Sequence, residues 1–84
     1  MRPEVIDFSQ RMEFVLQEND DKSHWSEATQ NYLQAKLEAS QAKLHNAVCD
    51  NKHGEVVKQA VHVANYAMML ADNAVRLQAR SPKS

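Results

Sequence analysis

Three side chains with metal-ligand chemistry are the first candidates for function in this sequence: His45, Cys49 and His62. His45 and Cys49 are four apart and share a face if the segment is helical. His62 follows on the next segment, so two adjacent helices could bring all three to a zinc ion. The pattern argues against it, because no CxxC, HxxxH or HExxH spacing accompanies them. The plainer reading is ordinary polar positions, with Cys49 an inert, partly buried thiol that lacks the neighbouring base a nucleophile needs. His24 and His53 fall in connectors and read as solvated. Glu38 stands alone among Ser40, Gln41 and Lys43, so the paired carboxylates that magnesium needs are not on that turn. Neither a glycine-rich phosphate loop nor a GxSxG elbow is present. What remains is a polar pair, His62 and Asn65, three apart and pointing the same way.

That pair lies in residues 59–73, QAVHVANYAMMLADN, which is apolar on most sides and free of Gly and Pro. Such a run reads as a helix buried on more than one face. The helix extends over 55–80, with Val56, Ala60, Val63, Ala67, Leu70 and Ala74 on one face. A neighbouring face carries Val61, Ala64, Met68, Ala71 and Val75. Two adjacent apolar faces exceed what a simple three-helix monomer covers, and the alanines allow another helix to come close. The expectation is therefore a homo-oligomer, a dimer or higher. Met68 and Met69 read as core filler rather than as a partner surface. Arg76, Arg80 and Lys83 suit the negative end of this helix.

The other elements follow from the same patterns. Residues 1–21 form a first helix with Pro3 in its opening turn, Glu4 and Asp7 near its positive end, and a stripe of Val5, Phe8, Met12, Val15 and Leu16. Residues 22–28 are a connector, where Trp25 reads as a plug over the bundle end or, alternatively, as a stacking contact. Residues 29–49 form a second helix, capped by Ser26 or Thr29, with Tyr32, Leu33, Leu37, Leu44 and Val48 as its apolar positions. Residues 50–54, DNKHG, close it and turn the chain. Residues 81–84 are a loose tail. The fold class is all-α, a bundle of about three helices in one domain spanning 1–84.

Bulk composition narrows the classes further. A chain of 84 residues buries only about 60–68% of its unfolded surface, so small domains like this often recruit a second subunit. One cysteine rules out an internal disulfide and suits a reducing cytoplasm, and no charged-then-apolar leader opens the chain. No apolar run approaches the roughly 20 residues that span a bilayer. A formal net charge of −1 gives no global attraction to nucleic acid or acidic membranes.

Several stretches, in order, resemble one family. They are VIDF at 5–8, Met12, NDDK at 19–22, Trp25, Tyr32-Leu33, Lys36-Leu37, Leu44, Ala47, and VANYAMMLADN at 63–73. Together they look like the small MazG-like nucleotide pyrophosphohydrolases, particularly the short versions common in phages, over residues 3–73. The resemblance implies an all-α bundle completed by oligomerisation, and a reaction that converts nucleoside triphosphates to monophosphate and pyrophosphate. In that family an EExxE motif on one helix and an ExxD motif on the next hold magnesium. Carboxylates at such spacing share a face, and two such faces make an oxygen cage for a hard cation. The ions neutralise the triphosphate and activate water.

Aligned on this chain, the first motif falls on residues 39–43, ASQAK, and the second on residues 59–62, QAVH. Ser40, Lys43, Gln59 and His62 stand where carboxylates are expected, and Lys43 would repel magnesium. A shifted register with Glu38 and Glu55 as ligands would rotate the second helix and expose Leu37 and Leu44. The resemblance thus implies a relative without the metal site and without catalytic residues, needing no cofactor. It also implies Lys43, His62 and Asn65, with Lys22 and Trp25, as ligand-binding positions. Three functions remain open: a binding or inhibitory protein aimed at a host protein or defence complex, a nucleotide-binding protein without hydrolysis, and weak residual hydrolysis.

Overall fold

The computed structural model describes residues 1–18, 25 and 28–80, and within these the chain is all-α with no strand. Three helices are described: α1 (Pro3–Glu18), α2 (Gln30–Cys49) and α3 (His53–Arg80). Residues 19–21 of the first expected helix and the 81–84 tail lie outside the described residues, as do Ser26 and most of the connector.

Thr29 caps α2. Its backbone is extended, at φ −74 and ψ 154, and its hydroxyl accepts the Tyr32 N–H at 3.1 Å. That satisfies one of the orphan donors of the first turn, so the helix starts at Gln30 rather than at 29. Its buried seam has a seven-residue repeat: Gln30, Leu37 and Leu44 alternate with Leu33, Ser40 and Ala47. Leu33, at 2% exposure, is the most deeply buried large side chain described. Tyr32 and Val48, expected among the apolar positions, lie outside this seam and are exposed.

The turn after α2 is built on Asn51, the one described residue with positive φ, at 56°. The Lys52 N–H reaches Ala47 O at 3.0 Å and the Asn51 N–H reaches Val48 O at 3.2 Å. These two bonds define a Schellman closure with Asn in the left-handed position. Gly54 is therefore not the stop residue. It lies in the first turn of α3, which begins at His53, two residues before the expected start at Glu55. The early start follows from Lys52, whose carbonyl already accepts the Val56 N–H at 2.9 Å.

α3 is the central element. Its 28 residues, at about 1.5 Å each, set the 46 Å long axis. α2 packs along one side of it and α1 leans on another, and α1 and α2 do not pack on each other. The two apolar faces expected on α3 are covered only in part. Members of both, Ala67 and Ala74 of one and Ala71 and Val75 of the other, form a strip that stays exposed. α1 has no fully buried residue: Phe8, Met12, Val15 and Leu16 are half-buried, and Val5 is exposed. Among the described residues, Leu33, Ala47 and Val61 are the only buried apolar ones.

No described helix is long and apolar enough to cross a membrane.

Candidate functional site

The polar side chains of α3 are where the helices meet. Gln59, Asn65 and Asn73 are all buried, as is Ser40 on α2. In a chain with so small an apolar core, a seam of amides is costly unless each finds a partner.

Asn73 finds one at the end of the bundle. Its Nδ2 donates to the Trp25 carbonyl at 3.2 Å, and the Trp25 indole Nε1 donates to the Asp72 carboxylate at 2.9 Å. Arg76 closes the group by donating to both Asp72 Oδ2 and Asn73 Oδ1. The tryptophan expected as a plug is therefore held at both its ring and its backbone. Arg76 answers two side chains of its own helix rather than the helix's last carbonyls. Asp72, Asn73 and Arg76 fall three and four apart on one face, a spacing that could have marked the cluster in the sequence.

Asn65 is 3% exposed and ties two helices, its Nδ2 reaching the Met12 carbonyl of α1 at 3.4 Å. Its Oδ1 is buried without a protein hydrogen-bond partner. Gln30 is in a similar position, with Nε2 on the Leu70 carbonyl at 3.5 Å and Oε1 unsatisfied. His62, one turn before Asn65, is half-buried.

Of the five positions where the resembled family carries acids, Ala39, Ser40 and Lys43 lie on α2 and Gln59 and His62 on α3. Ser40 and Gln59 are buried, His62 is half-buried, and Lys43 is exposed. Gln59 Nε2 donates to the Glu55 carboxylate at 2.7 Å. This bond holds the Glu55 carboxyl below its ordinary value of 4.5, against the raising effect of burial; Lys58, Lys52 and Lys43 add to the lowering. Lys43 thus acts across the junction on the nearest carboxylate of α3. Glu55 and Gln59 are four apart, a spacing that makes them neighbours on one helical face, although the sequence offers Glu55 only as a shifted metal ligand.

The remaining candidates are simpler. Cys49 Sγ lies 3.7 Å from His45 Nε2, both exposed on a single turn of α2. Cys49 had been expected to be partly buried, and it is exposed because it faces away from the α2 seam. Among the described residues, no three His, Cys, Asp or Glu side chains come close enough to hold a metal ion. Glu38 is used locally, accepting from Gln34 at 3.3 Å. Lys22, expected as a ligand contact, lies outside the described residues, as does His24.

No protein-family model, curated protein or solved structure matches the chain.

Proposed function

We propose that this protein works by binding rather than by turnover: a MazG-like helical scaffold without its metal site, self-associated as a dimer or higher oligomer. In a phage setting its target would be a host protein or defence complex, bound and inhibited in the host cytoplasm. One observation carries the reading. Ser40 and Gln59, where the resembled enzymes present carboxylates to magnesium, are a buried hydroxyl and a buried amide, and the amide is spent on Glu55. Hard cations need several anionic or carbonyl oxygens converging on one point. The test is pyrophosphate release from deoxynucleoside triphosphates with magnesium or manganese, run beside a pull-down from host extract. Release above buffer would sink the reading and establish residual hydrolysis instead.

A second reading has its own support. Lys43 is an exposed cation on α2, His62 is half-buried on α3, and Asn65 carries a buried carbonyl oxygen that no donor among the described residues meets. A nucleotide could supply that donor, while Lys43 takes the phosphate charge that magnesium takes in the enzymes. Calorimetry against a nucleotide panel, with and without magnesium, decides it: metal-independent heat supports sequestration, and no heat ends it.

A further inference from the structure

The surface of the chain is too large for a lone globular protein of its mass. It exposes 6480 Å² at 9.6 kDa, whereas a folded monomer of that mass exposes about 5,100 Å². The excess is about 1,400 Å², set against the roughly 1,000 Å² or more per subunit that permanent dimers cover. Its radius of gyration, 14.4 Å, likewise exceeds the about 12 Å expected for this length.

Uncovered apolar side chains lie on all three helices, and α1 is the one with no buried residue. Seven of its sixteen residues are Val, Ile, Phe, Met or Leu, yet none is fully buried. Ile6 is 42% exposed and Phe14 63%. Beside Phe14 runs an open groove of about 480 Å³ between α1 and the start of α3, floored by Val15, Val57 and Val61. Gly54 at its end has nothing within 4 Å of where a side chain would begin. Arg11 and Lys58 flank the groove, and Asp7 holds Arg11 at 3.1 Å. An apolar centre with a rim of both charge signs is the usual anatomy of a protein interface.

We propose that a second copy of this chain occupies the groove. In a two-fold pair each face is both donor and acceptor, so Phe14 of one copy enters the Val57–Val61 groove of the other, and its own groove receives the partner's Phe14. The arrangement completes the bundle, since α1 then has an apolar neighbour on each side. This inference rests on the self-association proposed above and is indifferent to whether any nucleotide is bound or cleaved. It also relocates the interface: the sequence suggested the apolar faces of α3, while the groove lies between α1 and the start of α3.

The experiment is light scattering after size exclusion at micromolar concentration, with circular dichroism as the folding control. Wild type should run at twice its 9.6 kDa mass. Phe14→Asp and Val57→Asp should halve it with helicity retained, and Val75→Asp, on the free strip of α3, should leave it a dimer. A photo-reactive phenylalanine analogue at position 14 should yield a covalent dimer joined to the partner's 54–61 segment, which keeps the test decisive should an Asp variant unfold. A monomeric wild type overturns self-association altogether. A dimer indifferent to both Asp substitutions, or one lost only with Val75→Asp, overturns this face while leaving self-association standing.

Discussion

The Trp25 indole donates to the Asp72 carboxylate across 47 residues of sequence, at 2.9 Å. This bond and the Asn73 amide on the Trp25 carbonyl fix the middle of the connector to the far end of α3. A hydrogen bond to a charged group contributes about 1.5–3 kcal/mol when sheltered, and less here because the Asp72 side chain is 41% exposed. Trp25→Phe keeps the ring and removes the donor, and should cost about 1 kcal/mol in urea unfolding. Asp72→Ala, which removes the acceptor and the Arg76 pair with it, should cost at least as much. Combined, the two should cost clearly less than their sum, since they remove the same bond. Strict additivity would show that the bond contributes nothing.

The closure of α2 gives a second, cleaner measurement. Asn51 sits at φ 56°, where glycine has no steric penalty and a β-branched residue has a large one. Asn51→Gly should be neutral or stabilising by a few tenths of a kcal/mol, and Asn51→Val destabilising by about 1–2 kcal/mol. A valine variant as stable as wild type would mean that the left-handed turn is not kept in solution.

These two residues also show what the sequence could and could not tell. Helical class, three segments and the central rank of residues 59–73 were legible because apolar spacing at 3.6 residues survives in all three helices. The turn was legible as a turn over 50–54, but either Asn51 or Gly54 can take positive φ and only the backbone says which does. Thr29 and Ser26 were equal on composition, and which one caps depends on where the Leu33–Ser40–Ala47 seam meets α3. The site was less legible still. Ser40 and Gln59 were marked by where the resembled family's motifs fall on the chain, not by apolar spacing. The Glu55–Gln59 pair has helical i, i+4 spacing, but whether it closes depends on rotamers; the Trp25–Asp72 bond depends on how a connector folds back and leaves no spacing signature.

Asn65 bears on why an amide is kept in the α1–α3 contact. Its one protein bond is long, at 3.4 Å, and its oxygen is unsatisfied, so it contributes little and costs desolvation. Asn65→Leu, close in volume, should therefore leave stability unchanged or raise it by about 1 kcal/mol in thermal or urea unfolding. If nucleotide sequestration is the function, the same variant should lose the calorimetric signal while gaining stability. A loss of several kcal/mol would instead show that the amide is structural.

Glu55 offers a pH readout of the junction. Its carboxyl titrates below 4.5 in the folded chain because Gln59 donates to the ionised form. The contribution is therefore present above the unfolded value and is lost as pH falls through the lower folded value. In a carbon-detected NMR titration, Gln59→Leu should move the Glu55 midpoint upward, and Lys43→Ala should move it by less. An unmoved midpoint in Gln59→Leu would remove the bond from the description of the site.

The family resemblance can be tested by rebuilding what it says is missing. Exchanging Ala39, Ser40 and Lys43 for Glu, with Gln59→Glu and His62→Asp, restores both acidic motifs on the α2–α3 junction. Ser40 and Gln59 are buried, so without a cation the new carboxylates repel one another and resist desolvation, and the variant should be less stable than wild type. Magnesium or manganese should then raise its unfolding temperature in proportion to the logarithm of free ion, while wild type stays flat. Ion binding with 1:1 or 2:1 stoichiometry by calorimetry would show that α2 and α3 still hold the spacing of a metal cage. If the variant folds and no ion stabilises it, the two helices do not present these positions to one point. The likeness to the pyrophosphohydrolases would then be one of sequence pattern alone.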